Sequence, residues 1–100
     1  MVKHVVMWRF KESAEGKSKQ ENMEWVRENL YALRDIIPEI KSMEIGFDAL
    51  KTEASMDLVL CTEFDSLKDL SVYANHKDHL SVAQVVKAVT EKRVVIDYEI

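Results

Sequence analysis

The chain has 100 residues, of which 47% are hydrophobic and 32% are charged, and its formal net charge is −4. That balance is typical of a globular protein, and a chain this short is expected to form one domain, spanning residues 1–100, around one core. A nucleic-acid partner is not expected, because no cluster of Lys and Arg with interleaved aromatic residues is present.

The sequence also lacks the features of secreted and membrane proteins. Its short apolar opening is broken by Arg9 and Lys11, and neither a leader-like segment nor a run of about 18 apolar residues follows. The single cysteine, Cys61, cannot form an internal disulfide and fits a reducing compartment. We therefore expect a cytoplasmic protein with no membrane partner.

The first third of the chain predicts a strand and a long helix. Residues 3–10 alternate as strands do, and one face carries His4, Val6, Trp8 and Phe10. Ser18 and Glu21 have the spacing of a capping box, which marks the start of a helix. Its apolar stripe consists of Met23, Val26, Leu30, Leu33 and Ile37. Because Pro38 disfavours helical geometry at the residue before it, the helix should end near Ile36.

The remainder predicts two strands, an interrupted helix and a last strand. Residues 40–47 and 56–64 alternate between apolar and polar or smaller side chains. Ser66 is a plausible N-cap for a short helix, which the polar segment 75–79 interrupts before helical spacing resumes. Residues 93–100 are rich in strand-forming side chains and should close the fold.

The resulting order, β-α-β-β-α-β, predicts the α+β class with a ferredoxin-like, split βαβ arrangement. In that arrangement two helices cover one face of a four-stranded antiparallel sheet. The opposite face should carry Val5, Met7, Val59 and Cys61, which together are too apolar to remain in solvent. A second copy of the sheet is the natural cover, so we expect a homodimer that forms a dimeric α/β barrel.

Few residues are left as candidates for chemistry. The sequence contains no phosphate-binding glycine loop, CxxC pair, HExxH helix or GxSxG turn. The candidates are His4, His76, His79 and Tyr73. A neutral histidine is a ready general base, and a tyrosine hydroxyl can stabilise an oxyanion. Alternatively, His4 and Tyr73 are core residues and His76 is a turn or cap residue. No metal site is expected, because no carboxylate stands at ligand spacing from the histidines.

Four segments resemble the stress-responsive A/B barrel domain family (Dabb). They are VKHVVMWRFK at 2–11, IIPEI at 36–40, YANHKDH at 73–79 and VIDY at 95–98. The resemblance implies a dimeric ferredoxin-like α+β barrel from a family in which most members have unknown function. One plant member is a polyketide cyclase that closes a linear polyketide by aldol chemistry without a cofactor.

The resemblance to that cyclase also implies roles for individual residues. Its base falls on His79, its tyrosine on Tyr73 and its strand histidine on His4. Lys77 stands where the family often has a proline. The implied ligand-binding residues are Val6, Trp8, Val26, Leu30 and Leu60. Val26 and Leu30 replace bulky aromatic residues of the cyclase, so a different ligand is expected here.

Two functions remain open. The first is a homodimeric module that binds a small apolar or aromatic molecule between sheet and helices, without a cofactor. The alternative is a cofactor-free acid/base enzyme, resembling a polyketide cyclase, that uses His79 and Tyr73. A cavity lined by both side chains favours the enzyme, and a filled core favours structural histidines.

Overall fold

The structure is a computed structural model that describes all 100 residues, Met1–Ile100. Its strands and helices follow in chain order as β1 (Val2–Phe10), β2 (Ser13–Ala14), β3 (Lys17–Ser18), α1 (Lys19–Ala32), β4 (Ser42–Phe47), β5 (Leu58–Phe64), α2 (Leu67–Asn75), α3 (Lys77–Val89) and β6 (Thr90–Glu99). The main sheet has the strand order β4-β5-β1-β6, and all of its neighbouring strands are antiparallel. The predicted α+β, ferredoxin-like arrangement is confirmed.

The two faces of the sheet differ as the alternation in β1 predicts. His4, Val6, Trp8 and Phe10 are buried on the face that the helices cover, which we call the inner face. The core cluster joins Val6, Trp8 and Phe10 to the apolar stripe that begins in α1 and to the inner apolar residues of β5. Burial of this apolar area is the main stabilising contribution to the fold.

Helix α1 begins as its sequence predicts. Ser18 accepts a hydrogen bond from the Glu21 backbone N–H, and the Glu21 carboxylate accepts one from the Ser18 N–H, which completes the capping box. The end of the helix differs slightly from the prediction. The α-helix stops at Ala32 and tightens into a 3-10 turn over Leu33–Asp35 before Pro38.

The interruption in the second helical region is shorter than predicted. Ser66 caps α2, as expected, but only His76 separates α2 from α3. The His76 backbone is extended, and its Nδ1 accepts a hydrogen bond from the Asp78 N–H at 3.1 Å. Because this bond starts a new helix at once, residues 77–79 form the first turn of α3. The last strand likewise begins at Thr90, three residues earlier than predicted.

The outer face of the sheet remains apolar. Val5, Val59 and Cys61 are half-buried there, while Met7 and Ile96 are 39% and 59% exposed. Ile96 lies beside Val5 in the antiparallel register of β1 and β6, so these side chains form a continuous patch. No helix of the structure is long and apolar enough to span a membrane.

Candidate functional site

A cavity of about 490 Å³ lies between the inner face of the sheet and the helices. Its lining residues are His4, Val6, Trp8, Leu30, Leu60, Tyr73, His79, Ala83, Val86, Lys87, Thr90, Glu91, Lys92 and Arg93. The wall is half apolar, and its polar groups come from β1, α2, α3 and β6. The cavity volume lies within the range of about 300–1,000 Å³ that is common for small-molecule pockets.

Tyr73 places a hydroxyl group in the apolar part of the site. Its ring is 1% exposed and packs on Phe64, with 5.2 Å between ring centroids. The hydroxyl is buried and has no hydrogen-bond partner. Burial raises the pKa of the Tyr73 hydroxyl to about 12, against a smaller opposing effect of the Arg93 charge. The group is therefore a hydrogen-bond donor at neutral pH.

His79 lies against Tyr73, with 4.3 Å between their ring centroids. Its Nδ1 lies 3.0 Å from the Ala74 carbonyl oxygen, and because a carbonyl only accepts, Nδ1 carries the proton. Burial is the main cause of a lowered His79 pKa, and the charge of Arg93 lowers it further. The ring is thus neutral at pH 7, and Nε2 carries the lone pair of a base.

His4 is held by a carboxylate that sequence reasoning missed. It lies opposite Asp97 in the register of β1 and β6, and its Nδ1–H donates a hydrogen bond to the Asp97 carboxylate. The His4 ring meets Tyr73 edge to face at 6.1 Å. A carboxylate bonded to one ring nitrogen fixes the tautomer and orientation of a histidine. The only sequence signal for this role is the strand alternation, which puts Asp97 on the same face as Val95 and on the opposite face from Ile96.

The structure brings seven of the eight expected site residues together at the cavity. They are His4, Val6, Trp8, Leu30, Leu60, Tyr73 and His79. Val26 is the exception, because it is buried in the core and does not line the cavity. It lies one helical turn before Leu30, where the inner residues of the sheet fill the space against α1. Sequence reasoning also missed Ala83 and Val86, which continue the apolar wall along α3.

The mouth of the cavity carries charged residues that sequence reasoning did not single out. Lys87 at the end of α3 and Glu91, Lys92 and Arg93 at the start of β6 lie along its edge. His76, the remaining histidine, caps α3 outside the cavity. No group of three His, Cys, Asp or Glu side chains is positioned to hold a metal ion.

The family model described as the stress responsive A/B barrel domain matches residues 2–100. The chain belongs to this family. Among solved structures, a dimeric protein of unknown function from Bacteroides fragilis has a ferredoxin-like fold and is 26% identical. The alignment covers 99% of this chain and 95% of that one, with a TM-score of 0.80.

Two further solved structures extend the comparison of this Dabb chain. A hydroxynitrile lyase from Passiflora edulis is 25% identical, with 97% of this chain and 90% of that chain covered and a TM-score of 0.81. A dimeric ferredoxin-like protein of unknown function from Thermobifida fusca is 20% identical, with 99% and 90% covered and a TM-score of 0.85. No curated protein matches the chain at a significant level.

Proposed function

We propose that this Dabb protein is a homodimer that binds a small apolar or aromatic molecule in the cavity between sheet and helices, without a cofactor. The observation that carries the proposal is the unpaired Tyr73 hydroxyl beside a neutral His79, both on the wall of an apolar cavity. A buried polar group without a partner costs about 1–3 kcal/mol of stability. A ligand oxygen would supply the missing acceptor.

The apolar wall supports the proposed chemistry of the ligand. Trp8, Leu30 and Leu60 provide aliphatic and aromatic surface for a ring or short chain, and they belong to three different elements. A ligand with one carbonyl oxygen and an apolar body matches this distribution, because few polar groups fix its orientation while apolar contact supplies most of the affinity.

The proposed homodimer is supported by the outer face of the sheet. Val5, Met7 and Ile96 form an apolar patch there that the chain itself leaves uncovered. The similar proteins from Bacteroides fragilis and Thermobifida fusca are dimeric. A two-fold partner offering the same patch would bury both copies of it.

Binding of 2-acetylnaphthalene, an uncharged aromatic ketone, tests the proposed site. Its affinity is measured by calorimetry and by the fluorescence of Trp8 in a Trp25→Phe background. Ala83→Phe, which fills the cavity from α3, should weaken binding by at least about tenfold, because the apolar contacts are lost. Ala54→Phe, on an exposed turn, is the matched control. Absence of binding, or equal affinity in both variants, contradicts the proposal.

Acid/base catalysis in the same cavity is the second candidate function, and it would build on the proposed binding. The presence of both His79 and Tyr73 on the cavity wall favours it over purely structural roles for these side chains. His79 Nε2 would take a proton from the carbon next to a carbonyl, and the resulting enolate oxygen would accept a hydrogen bond from Tyr73. The orientation of the His79 ring by Ala74 favours this candidate, because it leaves the basic nitrogen free. The hydroxynitrile lyase from Passiflora edulis supports it as an example of catalysis by a similar chain.

Exchange of the methyl protons of 2-acetylnaphthalene in D₂O, followed by NMR, tests this candidate. The wild-type protein should accelerate exchange, and His79→Gln should reduce the acceleration by about 100-fold or more, as expected on removal of a general base. His76→Asn is the control, because it removes a histidine outside the cavity and retains an N-cap residue. If the ligand binds but exchange is not accelerated, the binding proposal stands and the catalytic candidate is rejected.

A further inference from the structure

We infer that the ligand of this cavity carries a carboxylate, which pairs with Arg93 at the mouth while the apolar body lies on the inner wall. The inference rests on the proposed binding function and narrows its ligand to small aromatic or acyl carboxylates. It comes from residues at the start of β6 and the end of α3 that the acid/base chemistry does not use.

The mouth of the cavity carries mainly positive charge, although the protein as a whole is acidic. Lys87, Lys92 and Arg93 line it with only Glu91 opposing them, whereas the whole chain carries a formal net charge of −4. None of these three cations forms an ion pair or a hydrogen bond within the chain. A local concentration of unpaired positive charge attracts an anion to this opening.

The register of the sheet places Arg93 on the same face as the cavity. Arg93 lies opposite Trp8 on β1, so its position belongs to the inner face, four residues before Asp97 on the same strand. Asp97 is already the hydrogen-bond partner of His4. Four residues of extended strand separate Arg93 from Asp97 by about 13 Å. The Arg93 side chain has no ion-pair partner within the chain, so its donors remain available to a ligand.

Arg93 is also close enough to the polar end of the cavity to act on the same ligand. It lines the same cavity as Tyr73 and His79. Its positive charge opposes the rise that burial causes in the Tyr73 pKa and adds to the lowering of the His79 pKa. A guanidinium group binds a carboxylate with two parallel hydrogen bonds, which a lysine ammonium cannot do. Lys87 and Lys92 add long-range attraction. A compact carboxylate can therefore reach Arg93 while its body contacts Trp8.

The test compares 2-naphthoate with 2-naphthamide, which have nearly the same shape and differ in charge. At low ionic strength and pH 7.5, calorimetry on the wild-type protein should give about tenfold tighter binding of 2-naphthoate. Arg93→Gln should remove that preference, because it weakens the binding of 2-naphthoate far more than that of 2-naphthamide. Added salt should weaken 2-naphthoate binding alone.

Two further variants make the result specific. Arg93→Lys keeps the charge without the paired hydrogen bonds and should retain part of the preference. Lys68→Gln removes a positive charge on α2, away from the cavity lining, and should change neither affinity. Circular dichroism confirms folding of each variant.

The possible failures are distinguishable. Equal affinity for both compounds in the wild-type protein, or a preference that survives Arg93→Gln, overturns the carboxylate inference and leaves the binding site in place. Absence of binding by both compounds and by 2-acetylnaphthalene overturns the proposed function and this inference together.

Discussion

The Tyr73 hydroxyl should affect folding stability and ligand affinity in opposite directions. Because it has no partner in the folded chain, Tyr73→Phe removes a buried polar atom without breaking a hydrogen bond. The free energy of unfolding in urea should stay the same or rise by about 1 kcal/mol. Affinity for 2-acetylnaphthalene should fall in the same variant, because the ketone oxygen loses its donor.

Tyr31→Phe is the matched control for that experiment. The Tyr31 hydroxyl oxygen accepts a hydrogen bond from the Ile45 N–H at 3.1 Å, outside the cavity. Its removal should lower the free energy of unfolding by about 1 kcal/mol and leave the ketone affinity unchanged. Destabilisation by Tyr73→Phe of more than that amount would mean that the Tyr73 hydroxyl has a structural role.

His79 should give stability a pH dependence of defined sign. Its pKa is lowered in the folded chain, mainly by burial, so the unfolded chain binds more protons between that pKa and about 6.5. The stability difference between wild type and His79→Gln should be constant above about pH 6.5. Below about pH 6.5, the wild type should lose stability relative to His79→Gln as the pH falls towards the pKa of His79 in the folded chain. Urea unfolding from pH 8 to pH 5 measures this, and a constant difference would contradict it.

At the scale of single residues, the site is predictable only where strand alternation or helical spacing fixes the face on which a side chain lies. His4, Val6 and Trp8 were placed correctly because three alternate residues of one strand must share a face. The role of Asp97 as the partner of His4 is not predictable from the sequence, because their hydrogen bond depends on the pairing of strands from opposite ends of the chain. The absence of Val26 from the cavity wall is not predictable, because an apolar stripe shows which side of a helix is buried but not what covers it.

At the scale of elements, proline substitutions at the junction between α2 and α3 test where α3 begins. Lys77 is the first residue of α3, where a helix tolerates proline because its N–H needs no partner, and the extended His76 before it suits a proline. Lys77→Pro should therefore raise the free energy of unfolding by about 0.4–1 kcal/mol, through a less flexible unfolded chain. Thermal or urea unfolding measures the change.

Asp78→Pro, one residue further on, should have the opposite effect. The Asp78 N–H donates to His76 Nδ1, and a proline there forces Lys77 away from helical geometry. A loss of about 1 kcal/mol or more is expected. Destabilisation of similar size by Lys77→Pro would show that α3 does not begin at this residue in solution.

The elements themselves were easier to predict than their ends. The capping box of α1 and the N-cap Ser66 involve residues three apart, so the sequence carries their full signal. The break at His76 was predicted too long, because five polar residues in a row resemble a loop and the cap formed by one histidine ring cannot be inferred from composition. The early start of β6 depends on pairing with β1 across a bulge at Arg9 and Phe10.

At the scale of the whole molecule, the proposed homodimer should depend on Ile96. This side chain is 59% exposed on the outer face, so Ile96→Glu should not disturb the core of the chain. It should place an unpaired charge in the proposed interface and dissociate the dimer. Light scattering should give about twice the 11.6 kDa chain mass for the wild type and about that mass for the variant.

Leu50→Glu controls for a general effect of removing surface apolar area. Leu50 is 80% exposed and lies outside the sheet. This variant should remain dimeric. A monomeric wild-type protein at micromolar concentration would reject the homodimer, and the outer patch would then need another cover.

The central position of β1 also determines when the molecule can mature. The first strand of the chain pairs with its last, with Val2 opposite Glu99, and His4 receives its carboxylate partner only from β6. During synthesis β1 cannot complete its pairing until β6 has been made, and native contacts of such large sequence separation slow folding. The bond between His4 and Asp97, and with it the polar end of the cavity, forms only once β6 has joined the sheet.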